Sequence, residues 1–408
     1  MDPCDRSHAR IPLAACADQA LARLATATGS AALASLDGAT LLGERAMRAG
    51  SLIPGRVSAG GGCRLLDSLS GTVALNLARA ADREMLPALF ETDELDPSDD
   101  AAIAARIAQA DARALVTRGR SMGLAIAAEG EKSAAARGSA GQPPACVELA
   151  SGCRRASAAG AAPRVVDLSA LWAGPLAAHL LWLAGAAVVR VESRSRPDAM
   201  RGSAGDFHAL LNQGKINLSI DLADGADRQA LLALIARSDV VIEAARPRAL
   251  EQLGIDASQI VRATPGLVWI SITAHGAQGE AAQWVGFGDD CGVSGGLSAA
   301  LRRATGRTGF VGDAIADPLA GIYAALTAWE TWCARRGARV RIAMSTLVAR
   351  CLAAAREEDP HGLDSDLRAW GSAVGKPFPS VARRAIAVLP APSEAIRSYL
   401  ARTAQSGR

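Results

Sequence analysis

The sequence predicts an α/β protein: a Rossmann-like, mostly parallel sheet core with a second, smaller α+β domain. Three observations predict it. From Arg164 onward, short runs rich in Val, Ile and Leu alternate with helix-length segments, which is the pattern of βαβ units. Those runs are near-continuously apolar, as strands covered on both faces are. Finally, 50% of the 408 residues are apolar and 21% charged, a globular composition with ample core material.

Taken in order, residues 60–131 read as mixed α/β. LDSLSGTVALNLA suggests a strand entering a turn, and ADREMLPALFE and DDAAIAARIAQADARALVTRGR suggest amphipathic helices. Asp99 and Asp100 suit the positive end of the second helix. Lys132 to Pro163 is rich in Ala, Gly, Ser and Pro, the composition of a linker. RVVDL (Arg164–Leu168) is then a first core strand, and Gly174-Pro175 opens a helix running through Leu183. AAVVRVE (Ala186–Glu192) and INLSIDL (Ile216–Leu222) follow as strands, with DGADRQALLALIARS a helix after them. DVVIEAA (Asp239–Ala245), helices around Arg248–Leu253 and in SQIVRAT, and the strand LVWISIT (Leu267–Thr273) complete the alternation. The expected organisation is an N-terminal segment 1–131, a linker 132–162, an α/β core 163–350 and a C-terminal tail 351–408.

Composition excludes several classes. The formal charge of +3 gives no electrostatic reason to expect a nucleic acid or an anionic membrane as partner. Only Lys132, Lys215 and Lys376 are lysines; arginine supplies the rest of the positive charge. Met1–Arg10 is polar and has no apolar signal-peptide core, so the expected compartment is the cytoplasm. The uncharged stretch Leu168–Val189 is long enough for a membrane span, but Gly174-Pro175 and His179 interrupt it and a strand, turn and helix explain it better. The eight cysteines form no C-x-x-C and the five histidines no H-x-x-x-H, so reduced thiols and no metal are expected.

Candidate chemistry gathers after the strands. The G-x-G-x-x-G fingerprint is absent after Leu168, where AGP stands, so Glu192 alone does not argue for a nicotinamide cofactor. Arg194, Arg196 and Arg201 lie on one stretch that would suit a phosphate or carboxylate, or simply a solvated loop. Asp317, before Pro318 and a long apolar helix, is placed to cap that helix. A carboxylate held there by backbone amides can equally attack an activated acyl group, and Asp313 is its rival.

DLSALWAGP, LLWLAGAAVVRVESRSRPDAMRG, LNQGKINLSIDL, ARPRALEQLGID, TPGLVWISITAHGAQG, GFGDDCGVSGGLS and ADPLAGIYAAL, in this order, resemble the class III CoA-transferases and their α-methylacyl-CoA racemase relatives. The resemblance covers about residues 163–350 and implies a CoA-transferase that moves CoA from an acyl-CoA to a carboxylic acid. It implies Asp317 as the nucleophile, passing through an aspartyl mixed anhydride and an aspartyl-CoA thioester. It also implies coenzyme A as part of the substrate, contacts to it from Trp172, Ala173, Arg194, Lys215, Ile220, Ala244, Arg246 and Gln252, and a homodimer.

The family pattern is broken in places. N-R-G-K-R-S reads Asn212-Gln213-Gly214-Lys215-Ile216-Asn217, E-N-F reads Glu243-Ala244-Ala245, and Gln252 replaces a common basic residue. Arg246 or Arg248 would supply replacement charge. Phe287 stands where the racemases carry a proton-transferring His, which disfavours the alternative of an acyl-CoA racemase or isomerase. A non-catalytic acyl-CoA-binding partner subunit is the other alternative. The N-terminal segment is similar to helical material the family carries late in its chain, so a rearranged member is expected.

Overall fold

The computed structural model describes residues 9–131, 145–156, 162–203, 205–276 and 278–406. Two sheets organise them. A three-stranded antiparallel sheet holds β1 (Cys63–Ser68), β2 (Gly71–Asn76) and β3 (Ala125–Ala128). An eight-stranded sheet holds β4 (Cys146–Arg154), β5 (Arg164–Asp167), β6 (Ala187–Ser193), β7 (Ile216–Ile220), β8 (Val240–Glu243), β9 (Val268–Thr273), β10 (Arg336–Ala343) and β11 (Glu394–Ala395). Its spatial order is β11-β7-β6-β5-β8-β9-β10-β4. From β5 to β10 every pairing is parallel, and the chain runs outward from β5 in one direction and then, from β8, in the other. This is the doubly wound arrangement, and its direction reverses between β5 and β8, where the carboxyl ends of the strands leave a crevice.

The expected strands and helices of the core are present, with ends shifted by up to three residues. The uncharged stretch Leu168–Val189 resolves into a loop, the helix Ala173–Leu183 and β6, and among the described residues no helix is long and apolar enough to cross a membrane. Four expectations need correction. ADREMLPALFE is not one helix but two short ones, Ala80–Glu84 and Leu86–Phe90, divided at Met85. LDSLSGTVALNLA is not one strand but the β1–β2 hairpin, turned at Leu69-Ser70. DDAAIAARIAQADARALVTRGR is two helices, Asp100–Ala108 and Ala112–Ser121, the second capped by Asp111, whose carboxylate accepts from the Ala114 amide. The 132–162 stretch is not all linker: β4 lies inside it and pairs antiparallel with β10. Residues 132–144 and 157–161 of that stretch lie outside the described residues. Gly152 explains why a sequence so poor in large side chains can pair there, since a Cβ on it would lie 2.4 Å from the Val261 carbonyl oxygen.

The helix Ala316–Cys333 is the axis of the molecule. It is buried on nearly every face and packs against Ala173–Leu183 and the N-terminal helix Ala14–Thr28. Gly321 permits the first contact, because a Cβ there would sit 2.7 Å from the Ala173 carbonyl oxygen. The N-terminal segment is thus built into the core rather than tethered to it.

Candidate active site

A cavity of about 290 Å³ lies beyond the carboxyl ends of β5, β8, β9 and β10, at the point where the strand order reverses. Ala170, Leu171 and Ala173 line it from the β5 side and Ala244, Ala245 and Arg246 from the β8 side. Trp284, Phe287 and Met344 give it apolar walls, and Asp317 lies among them.

Asp317 does not cap its helix. The helix starts at Ala316 with Ile315 in the cap position, so Asp317 sits inside the first turn. Its carboxylate instead crosses to another segment, where Oδ2 accepts from the Gly288 N–H at 3.1 Å. A Cβ on Gly288 would lie 2.4 Å from that oxygen and 2.2 Å from the Ala314 carbonyl oxygen, so only glycine allows this approach. Ala314 is itself left-handed, with φ 41°. It is pinned there by its N–H donating to Asp289 Oδ1 at 3.0 Å and by its carbonyl accepting from the Asp317 N–H at 2.9 Å.

The electrostatics around Asp317 are tense. Its side chain is partly accessible from the cavity, yet its carboxyl group is surrounded by protein, and that burial pushes its pKa up to about 7. Arg45 opposes the rise, while the Asp289 charge adds to it. Asp289 is likewise raised to about 7, by burial and then by Asp313. Arg45 is the cation that holds these acids together. Its Nε donates to Asp313 Oδ2 at 2.8 Å, a second bond joins Nη2 to Oδ1, and the guanidinium lies 4.5 Å from the centre of the Trp172 ring. Asp313, the rival carboxylate, is thereby buried and spoken for.

The helix start that carries Gly288 is braced from below. Asp290 Oδ1 accepts from the Phe287 N–H at 2.9 Å and from Asn76 Nδ2 at 3.0 Å. Its other oxygen lies 3.3 Å from His275 Nε2. His275, Asp290 and Cys291 are fully buried and bring their donor atoms within 4.8 Å of one another, a grouping their separation in the sequence did not reveal. The N-terminal segment supplies the cavity's other flank. Arg79 lies 5.9 Å from the Phe287 ring centre and Arg120 lies 4.3 Å from that of Trp284.

The family-implied CoA contacts divide. Ala173, Ala244 and Arg246 line the cavity. Arg246 is exposed, with Arg79 and Arg196 close enough to lower its pKa after burial has done so. The Arg248 side chain lies outside what is described. Trp172 is buried behind the wall, edge-on to Phe207 at 5.2 Å. Four others are placed away from the cavity. Arg194 is paired with Asp227 at 2.9 Å, Ile220 is core, and Gln252 is exposed at the end of the helix Pro247–Gln252. Lys215 is fully buried, donating to Asp167 at 2.9 Å, the Pro175 carbonyl at 3.0 Å and Asn212 at 3.1 Å. With every donor used inside the protein, it holds the end of β5 instead of reaching a ligand. Glu192 is also engaged internally, by Arg201, the Asp198 amide and Arg190, which hold it at about 2 against the effect of burial. That leaves it no free oxygen of the kind that would grip a ribose.

Arg45, Arg79, Asn76, Gly288 and Asp289 were not singled out by the sequence. The Gly-Asp-Asp run 288–290 is the one signal that would have found the last two, as acids beside a glycine at a helix start. The N-terminal arginines carry no such signal in a chain so rich in arginine.

Residues 161–361 match the sequence profile of CoA-transferase family III. The chain is similar to succinyl-CoA--D-citramalate CoA-transferase of Chloroflexus aurantiacus, 31% identical over 179 residues, covering 40% of this chain and 43% of that one. It is also similar to formyl-CoA:oxalate CoA-transferase of Afipia carboxidovorans, 26% identical over 243 residues and covering 54% of this chain and 55% of that one. A solved structure of the hypothetical protein Rv3272 of Mycobacterium tuberculosis superposes with a TM-score of 0.44 at 24% identity, covering 52% of this chain and 58% of that one. The chain spans about half the length of these two CoA-transferases.

Proposed function

From a chain whose residues 161–361 match CoA-transferase family III, we propose a CoA-transferase that carries CoA from an acyl-CoA to a carboxylic acid through Asp317. One observation carries the reading: a partly accessible carboxylate stands in the wall of a cavity at the switch point, with a backbone N–H fixed on one of its oxygens. In this mechanism the ionised Asp317 attacks the thioester carbonyl and CoA thiolate leaves, giving a mixed anhydride. The thiolate then attacks the Asp317 carbonyl carbon, forming an aspartyl-CoA thioester and releasing the first acid. The acceptor carboxylate attacks that thioester, expelling thiolate and forming a second anhydride. Thiolate finally attacks the acceptor's carbonyl, which yields the new acyl-CoA and returns Asp317 as a carboxylate.

Several features support this sequence of steps. A carboxylate with a raised pKa is a stronger nucleophile once ionised, and the neighbouring Arg45 favours the ionised form. The Gly288 N–H, aimed at the carboxyl, is placed to stabilise negative charge as the aspartyl carbonyl is attacked. Arg246 at the cavity is the candidate partner for a CoA phosphate. Phe287 on the cavity wall has no proton to exchange, so a two-base racemase lacks a member. The homodimer that the family resemblance implies belongs to the same reading.

The test is incubation with acetyl-CoA or succinyl-CoA in the presence of hydroxylamine or borohydride, followed by peptide mass mapping. Modification confined to Asp317 is expected. Modification at another residue, or none with any donor tried while CoA binding persists, would overturn the mechanism and favour a non-catalytic binding subunit.

A further inference from the structure

Away from this cavity, three helices converge on two thiols and a phenol. Cys16 lies on Ala14–Thr28, Cys351 on Met344–Glu358 and Tyr323 on Ala316–Cys333. Cys16 Sγ is 3.4 Å from the Tyr323 hydroxyl, and the Cys351 thiol donates to the same hydroxyl at 3.9 Å. Both thiols thus meet at one phenolic oxygen. A cavity of about 380 Å³ is lined by all three side chains, with Arg23, Cys146 and Arg350 on its wall. A second cavity, of about 690 Å³, opens on Cys16 from the side of Gln19 and Glu358. A small polar reagent therefore has room to reach this sulfur.

The two thiols are not equivalent. Cys16 is 9% exposed and borders both cavities, whereas Cys351 is 2% exposed. The neighbouring Cys351, and after it Tyr323, lower the Cys16 pKa to about 7 against the effect of burial. The Cys351 thiol is pushed in the opposite direction by Cys16 and by burial. A thiol on a cavity wall that ionises near neutrality, sharing a hydroxyl partner with one that stays protonated, is the arrangement of an attacking and a resolving cysteine.

We propose that Cys16 and Cys351 form an oxidative modification site whose reagent is a peroxide. The Cys16 thiolate attacks one peroxide oxygen and the O–O bond breaks, leaving a sulfenic acid and a hydroxide that is protonated to water. Cys351 sulfur then attacks the Cys16 sulfur. The S–O bond breaks, the departing hydroxide takes the Cys351 proton as water, and an S–S bond forms. Two thiols lose two electrons in all, and hydrogen peroxide accepts them. The bridge ties the N-terminal helix to Met344–Glu358 across the helix that carries Asp317, and Tyr323 loses both thiol partners. The site is independent of the proposed CoA chemistry.

The experiment treats the full chain with hydrogen peroxide, blocks residual thiols and maps disulfides by mass spectrometry. A Cys16–Cys351 cross-linked peptide, two fewer free thiols per chain and reversal by dithiothreitol are expected. Cys351→Ser should leave a sulfenic acid on Cys16 that dimedone traps, and Cys16→Ser should abolish both products. Circular dichroism checks that each variant folds, and Cys351→Ala replaces Cys351→Ser should the latter fail. Oxidation confined to the exposed Cys153 and Cys333 with Cys16 still reduced, or cross-links only between chains, would overturn the proposal.

Discussion

Gly288 donates its backbone N–H to Asp317 Oδ2 at 3.1 Å, and the space where its Cβ would stand is already taken by that oxygen, only 2.4 Å away. The hydrogen bond and the missing side chain are one feature. Gly288→Ala must push back either the Asp317 carboxylate or the Ala314 carbonyl. Overpacking of this kind costs about 1–3 kcal/mol. A lowered denaturant midpoint together with a fall of at least about tenfold in transfer rate is expected, and wild-type turnover in a folded Gly288→Ala would remove the glycine from the site.

Removing the carboxylate should end catalysis without ending binding. Asp317→Asn keeps the shape and can still accept from Gly288, but it has no nucleophilic oxygen. A loss of roughly 10³-fold or more in turnover is expected, with CoA affinity by calorimetry little changed.

Activity should rise with pH through about 7, where Asp317 ionises. Arg45→Met removes the nearby positive charge, so the acid limb should move to higher pH by about one unit. The same change strands Asp313 in the interior, at about 3–5 kcal/mol. Arg45→Lys should restore part of both. An unmoved acid limb in folded Arg45→Met would show that Asp317 is not the titrating group.

Stability should carry the opposite dependence. The folded pKa of Asp317 and Asp289 is raised to about 7, above the unfolded value near 4, so the folded state holds the extra protons. Their contribution is therefore fully present below about pH 4 and lost as pH rises through about 7. Asp317→Asn should stabilise the chain at pH 8, on the order of 2 kcal/mol, and do little at pH 4. Denaturant titrations at the two pH values check this, and equal effects at both would contradict it.

Lys215→Met should act on the fold. It leaves Asp167 buried and unpaired, which costs about 3–5 kcal/mol, and the loop after β5 loses its anchor. The melting temperature should fall well before any salt-dependent change in CoA affinity is seen. A variant that melts normally but binds CoA weakly would restore Lys215 to the ligand.

The core was legible from sequence because its signals are local. Val-Val strands such as β5, helix-opening Gly174-Pro175 and the DVVIE run each announce themselves within a few residues. Asp317 was legible as a carboxylate before an apolar helix, but its partner was not. Nothing near Asp317 in the sequence says that Gly288 will meet it, and a helix cap is the local solution the pattern suggests. Lys215 misled for the same reason: a lone lysine in a motif reads as ligand-facing until Asp167, at the end of another strand, is seen beneath it. β4 was hidden by its Gly, Ser and Ala content, because only the backbone of β10 and the close approach to Val261 make that stretch a strand.

The bond between Arg45 and Asp313 spans 268 positions of the chain, and that between Asn76 and Asp290 spans 214. Such closures are costly in chain entropy and are made late in folding. The local helices and the βαβ units can assemble while the N-terminal segment is still unattached. An unfinished molecule of that kind would have a sheet and an Asp317 but no Arg45 beside it. In refolding from denaturant, secondary structure should therefore return before the Trp172 environment does, and competence for acyl transfer should arrive with the slower of the two phases.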